Sequence, residues 1–361
     1  MSMMDGVIAR FKGMDGAEAY LRYSLFKRRF ILLVLLLAVL AAVLSIGVGK
    51  FGIGVVDGWR IIWDCLSGGY DGSTEQFIVY DQRFPRGLVA VVVGAALAVA
   101  GSVMQSMLQN PLADPYTTGV SSGAAFGAAL YVVVGVSLVP ISGTTGMVSN
   151  AFAMSLVPVA VILLLSVFKR ITATTMILVG IGVMYLFSAC TQMLKIQATP
   201  QQMERLYLWQ MGSLSEVGLT EVAIVFAVCF ACCLILYSFR ADLNLLSVGD
   251  KPAVSMGTNP WRTRVACLLV VSFMTSVVVS YTGVIGFVGL VAPQMVRIFL
   301  GSDNRYLIPA SAAFGGFFLI ACDCVGRVVG STGVPVGVIT AIVGSPLFLY
   351  MLVKRSRRRT I

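Results

Sequence analysis

From residue 30 onward the chain repeats one pattern, a long apolar run closed by a short polar break. A helix needs about 20 consecutive apolar residues to cross the hydrocarbon core of a bilayer. Runs near that length predict ten spanning helices, at 30–48, 87–108, 118–139, 151–168, 175–196, 219–239, 265–281, 283–300, 306–328 and 334–353. The eighth is short and rich in glycine. The most informative pattern lies between Arg83 and Gly127. Leu88 to Ala100 carries no charge, and Asn110, Pro111, Asp114 and Pro115 then stop the run. Proline lacks a backbone donor and drives the residue before it out of helical dihedrals, so two prolines four apart predict a tight reversal rather than a kink. Gly119, Gly123 and Gly127 follow at helical spacing. Such a stripe lets a second helix approach at backbone distance, which is how helices associate in lipid, where apolar burial gives no net drive.

Composition agrees with an all-α integral membrane fold. Of the 361 residues 58% are hydrophobic and only 12% are charged, whereas a soluble domain is charged at about 25% of positions. Lysine and arginine accumulate on the cytoplasmic side of membrane proteins. With ten spans and the N-terminus inside, 19 of the 26 basic residues fall on that side. An odd number of spans would put one basic terminus outside. The expected layout is a cytoplasmic N-terminal segment at 1–29, a transmembrane domain at 30–353 with a cytoplasmic loop at 240–264, and a basic cytoplasmic tail at 354–361. The +10 net charge then reflects topology and contact with anionic lipid headgroups, not nucleic acid. Lys27, Arg28 and Arg29 before the first run resemble the start of a signal peptide. The run is longer than a signal core, however, and no convincing small-residue cleavage site follows. Residues 1–26 read equally as an amphipathic surface segment or a tail.

The chain contains no histidine, the commonest metal ligand and general base. Seven of its eight cysteines fall inside the runs, with Cys65 outside. Cys229 and Cys232 have the gap of a metal pair but no matching second pair, so they read as small apolar filler, and no metal site or catalytic residue is expected. Asp323 stands nearly alone as a buried acid in the second half, without the chain of carboxylates that a proton- or ion-coupled secondary transporter would need. That transporter class is the alternative to the reading below.

The loop 240–264, RADLNLLSVGDKPAVSMGTNPWRTR, is the longest polar interruption of the second half. Its apolar positions alternate with Gly249, Asp250, Lys251 and Gly257, which predicts two short helices broken by turns. Apolar residues on a cytoplasmic helix pair invite a partner, or fold back onto their own membrane domain.

Three stretches in register resemble the FecCD-type permeases, membrane subunits of bacterial ATP-driven importers for iron-siderophores, haem and cobalamin. They are 83–127, the loop 243–257, and GVIGFVGLVAPQMVR at 283–297 followed by Asp303, Arg305, Asp323, Arg327 and PVGVITAIVGSPLF at 335–348. The resemblance implies a type II importer permease of about ten helices in the bacterial inner membrane, working as a dimer of identical or related chains. It also implies two ATPase subunits on the cytoplasmic face and an extracytoplasmic substrate-binding protein. The chain has no G-x-x-x-x-G-K-[ST] phosphate loop, so ATP and Mg would bind the partner ATPase and no cofactor is expected here.

By the same resemblance Arg83, Arg86 and Arg327 would pair with acids of the binding protein, a task suited to the fixed fork of guanidinium donors. Lipid headgroups compete for Arg83 and Arg86, and Asp323 one helical turn before Arg327 offers an internal pair. The gate would map to Asn110 and Leu112 and to the turn Thr172, Ala173, Thr174; Asn110 also suits a turn cap before Pro111. The coupling residues would be Leu243, Leu246, Gly249, Asp250, Lys251, Ala253, Met256 and Gly257. The family often carries histidine where this chain has Gln294, which leaves hydrogen bonding there and removes titration. Met104, Met107, Tyr116 and Phe126 read chiefly as packing and only secondarily as an apolar path. Iron-siderophore leads the expected cargoes, then haem, then cobalamin, on the family's habits alone.

Overall fold

The computed structural model describes residues 16–139, 143–169, 172–330 and 333–356. The remaining residues, including 1–15 of the N-terminal segment and 357–361 of the basic tail, lie outside this description. Among the described residues the fold is helical, with no strand. In chain order the helices are α1 (Gly16–Ser45), α2 (Val55–Leu66), α3 (Phe84–Met107), α4 (Val120–Ala129), α5 (Thr144–Lys169), α6 (Ala173–Ile196) and α7 (Pro200–Gln210). There follow α8 (Leu219–Ser238), α9 (Arg240–Val248), α10 (Asp250–Ser255), α11 (Pro260–Thr282), α12 (Val288–Leu300), α13 (Asn304–Val328) and α14 (Val336–Ser356). Eight helices among the described residues are long and apolar enough to cross a membrane, and Val120–Val134 and Val288–Leu300 are shorter apolar helices. These ten match the ten expected runs in order.

Several boundaries differ from the expectation, three of them for local reasons. The first helix begins at Gly16, well before residue 30, and Lys27 is buried against the rings of Tyr23 and Tyr306, 4.3 and 4.8 Å from their centroids. An aromatic face stabilises a buried ammonium, which lets the helix start inside the basic segment. The third helix is interrupted: a 3-10 turn, Pro115–Thr118, leads into α4, and a π-helical stretch, Leu130–Val134, ends at Gly135 with φ 77°. The eighth starts at Val288, not 283, because Gly283 and Phe287 hold positive φ values of 67° and 68° that no helix accepts.

The centre of the molecule is α3, most of whose residues are buried. It begins as the continuation of Thr74–Gln76 and a π-helical stretch Phe77–Arg83, so the apolar helix runs from Thr74 to Met107. Helices α8, α11, α12 and α13 pack around it. Small residues set the distances. A Cβ on Gly94 would overlap the Gly315 carbonyl of α13, and one on Gly101 would overlap the Gly289 carbonyl of α12. The predicted stripe acts likewise: Gly123 and Gly127 of α4 lie against the Met154 and Asn150 carbonyls of α5.

Candidate functional site

Two polar clusters sit at opposite ends of the bundle. At one end α3 finishes at Met107 and the chain reverses through Asn110–Pro115. Gln109 turns the chain with φ 52°. The Leu112 amide donates to Asn110 Oδ1 at 3.0 Å, and the Tyr116 amide to Asp114 Oδ1 at 2.9 Å. These side-chain caps close the reversal that the two prolines require. Burial pushes the Asp114 carboxyl up to about 6, against the lowering effect of the Tyr116 bond. Tyr116 reaches the segment that precedes α12 by donating its hydroxyl to the Ile285 carbonyl at 3.1 Å.

Of the expected gate residues, Asn110 is half-buried, holding its own turn, and Leu112 is exposed at its tip. Thr172 caps α6 by accepting from the Thr175 amide, with Ala173 and Thr174 opening that helix. Gly180 of α6 touches Thr117 and Thr118, so α6 packs on the segment that follows the reversal. Met104 and Met107 are fully buried in the core, and Phe126 packs edge-on to Phe187 of α6.

Gln294 is tied into this end. Its Nε2 donates to the Pro111 carbonyl and to Gln105 Oε1, each at 3.0 Å. Arg297 Nη1 also donates to Gln105 Oε1, at 2.6 Å, while Gln105 Nε2 donates to the Gly289 carbonyl at 3.1 Å. Gln294 therefore fastens α12 to α3 and to the back of the Asn110–Pro115 reversal.

The loop 240–264 forms the expected pair of short helices, α9 and α10, separated by Gly249 with φ 143°. The residues of the expected coupling set divide into a buried and an exposed group. Leu243, Leu246 and Ala253 are completely buried in the chain's own core. They face the bundle because they fall on the inner side of each short helix, and they anchor the pair. Lys251, Met256 and Gly257 are exposed, Asp250 is half exposed and Gly249 is intermediate. Val248, Val254 and Met256, 74%, 61% and 71% exposed, form the outward apolar surface. Asn244 holds α9 in place: its Oδ1 accepts from the Asn304 amide at 2.7 Å and its Nδ2 donates to Asp303 Oδ1 at 2.8 Å.

Asp250, the first residue of α10, meets Arg264 of α11 through two bonds of 2.7 and 2.6 Å and accepts a third from Gln109 Nε2 at 3.1 Å. The Arg264 guanidinium bonded to it holds the Asp250 carboxyl below its ordinary range. Arg264 Nε donates to the Met107 carbonyl at 2.9 Å. One buried guanidinium thus links α10, α11 and the last turn of α3.

At the opposite end Asp323 of α13 is completely buried between two arginines, Arg86 Nη2 at 2.8 Å and Arg327 Nη2 at 2.6 Å. Arg327 Nη1 also donates to the Ser45 carbonyl, and Arg83 donates to the carbonyls of Ile46 and Phe51. Arg83 and Arg327 are only 6% and 8% exposed. Arg83 satisfies carbonyls just beyond the end of α1, and Arg327 satisfies the last carbonyl of α1 and a buried carboxylate, the internal pair that competes with docking. Arg86 keeps a partly exposed side chain.

Some of this was missed by reading the chain. The Thr199-Pro200-Gln201-Gln202 start of α7 is a capping box, with the Gln202 amide donating to Thr199 Oγ1 and the Thr199 amide to Gln202 Oε1, a signal legible in the sequence. Helix α2 has the helical period of Val55, Trp59, Ile62, Trp63 and Leu66. The pair Asp250–Arg264 has no signal at 14 residues' separation.

Comparison with known proteins gives a consistent picture. The FecCD transport family matches residues 35–354. The chain is 32% identical to the hemin transport system permease protein HmuU of Yersinia pestis, over 90% of this chain and 96% of that one. It is 37% identical to the cobalamin import system permease protein BtuC of Halobacterium salinarum, over 79% of this chain and 76% of that one. Among solved structures it is similar to an inward-facing conformation of a protein described as a metal-chelate type ABC transporter, with 29% identity, a TM-score of 0.78, and 91% and 99% of the two chains covered.

Proposed function

The chain belongs to the FecCD transport family, as the membrane permease subunit of an ATP-binding-cassette importer, and we propose that α9 and α10 are its seat for a partner ATPase. The observation that carries this is the division of the loop 240–264. Its inner residues are locked into the bundle, while Val248, Val254 and Met256 stand exposed beside the gate turn. An apolar patch ringed by polar residues marks a protein contact. The end that holds α9, α10 and the gate turn is the cytoplasmic one on this reading, supported by the basic residues gathered there. The chain itself is a transport component and not an enzyme. ATP and Mg would act on the partner, whose closure would move α9 and α10 and open or close the turn in a rigid-body cycle.

The outer end would receive a substrate-binding protein. Arg86 is the arginine placed to meet its acids, with Arg83 and Arg327 supporting from below. A second permease chain, identical or related, would complete the path. Helix α6 suits that contact, because it exposes Gly182, Ser188 and Gln192, residues that favour helix contact over lipid. The cargo would be a metal chelate or macrocycle; the named relatives carry different ones at similar identity, so the scaffold leaves the choice to the binding protein.

The test is purification of the tagged chain from its native membrane in mild detergent, with identification of what remains bound. An ATPase recovered in about equal amount to the chain supports the reading, as a closed heteromeric assembly requires. A folded chain that retains no ATPase overturns it and favours an ion-coupled transporter. Glutamate at Lys251 or a bulky residue at Gly257 should then uncouple ATP turnover from uptake, and wild-type uptake in both variants would sink that assignment.

A further inference from the structure

We propose that Arg264, with Gln109 as a second arm, is a positioning residue that carries motion of α10 into the gate turn, an inference that rests on the reading of α9 and α10 as the ATPase seat. Arg264 is 4% exposed and its guanidinium is used three ways: two bonds to Asp250 at the start of α10, and one from Nε to the Met107 carbonyl at the end of α3. Pulling Asp250 away would leave a buried guanidinium without its carboxylate, which is far more costly than moving the pair together. The start of α10, the start of α11 and the end of α3 therefore move as one body. Gly249, with φ 143° and ψ 161°, separates this body from α9; a side chain there would be strained.

The second arm reaches the turn itself. Gln109 is one of two described non-glycine residues with positive φ, at 52°, a region that such residues enter only when something holds them. Its side-chain amide donates to the same Asp250 carboxylate. Gln109 precedes Asn110 and Pro111, and the Pro111 carbonyl is held from behind by Gln294. A displacement of Asp250 thus pulls on a strained turn pinned at its far side. The outcome is a change of turn shape at Leu112 that accompanies the rigid-body cycle.

The experiment uses the chain in complex with its ATPase, reconstituted in liposomes, and reads the gate directly so that the cargo need not be known. Cysteine at Leu112 is labelled with a water-soluble maleimide, without nucleotide and after ATP with vanadate, and the modified peptide is quantified. In the wild-type background the trapped state should change the labelling rate about tenfold, the scale on which a gate population shifts. Arg264→Met should reduce that response to less than about twofold while ATP is still hydrolysed, and Arg264→Lys, which keeps the charge but not the fork, should fall between. A full gate response in Arg264→Met overturns the inference. If Arg264→Met does not assemble, Gln109→Leu replaces it, with a reduced response expected and an unchanged one overturning the proposal. A wild-type chain that binds no ATPase overturns the seat, and this inference with it; an intact complex with an intact response in the variants overturns only the strut.

Discussion

Asp323 is completely buried and serves two guanidinium groups at once, those of Arg86 and Arg327. Removing one partner of a buried ion pair typically costs about 3–5 kcal/mol, because the remaining charge keeps its desolvation penalty. Asp323→Ala is expected to lower thermal stability in detergent by that order, and replacing Asp323 and Arg327 together by apolar residues should lose less. An unchanged melting profile for Asp323→Ala would mean that water already reaches the cluster. At the other end the relevant group is Asp250, whose carboxyl is held low chiefly by the Arg264 bonds. A depressed folded pKa means that the stabilisation is present above the unfolded value, about 3.9, and is lost as pH falls through the lower folded value. Proteolytic protection of the 240–264 loop should therefore be flat between neutral pH and about pH 5 and decline only below about pH 4. Asp250→Asn should show the loosened state already at neutral pH.

At the scale of elements, backbone contact between helices decides where substitutions are tolerated. Gly101 of α3 lies on the carbonyl of Gly289, so Gly101→Ala forces the helices apart, at a cost of about 1–3 kcal/mol for overpacking. Gly182 of α6 has nothing within 4 Å of an added Cβ, and alanine there should be neutral or stabilising by up to about 1 kcal/mol in the isolated chain. Parallel thermal denaturation of the two variants checks the contrast. The short helices follow a different rule. Val248, Val254 and Met256 contribute little to the fold because they are exposed. Met256→Asp should leave thermal stability within about 0.5 kcal/mol of wild type while lowering recovery of the ATPase in a pull-down.

For the molecule as a whole, the two most exposed spans differ in chemistry. Between residues 32 and 44 every exposed residue of α1 is apolar, including Leu32, Leu36, Val39 and Leu40, as a lipid-facing helix requires. Helix α6 is at least as exposed, yet shows Gly182, Ser188 and Gln192 among its apolar residues. Cysteine at Ser188 or Gln192 should cross-link two permease chains in membranes, and cysteine at Leu36 should not. Equal cross-linking at all three positions would remove α6 as the dimer face.

The apolar runs by themselves determined that the chain is a helical membrane protein with ten segments in a given order, because a bilayer leaves backbone groups few ways to be satisfied. Local chemistry also made the Asn110–Pro115 reversal, the small-residue stripe and the paired short helices legible, since each depends on neighbours within a turn or two. Residue-level accessibility was not legible. Whether Leu246 faces a partner or the core, and whether Arg83 and Arg327 point outward or bind Ile46, Ser45 and Asp323, depends on which distant helix lies beside them. Only the tertiary structure decided that Arg264, 157 positions from Met107, closes one guanidinium over both, since a hydrogen bond is set by distance in space and leaves no period along the chain.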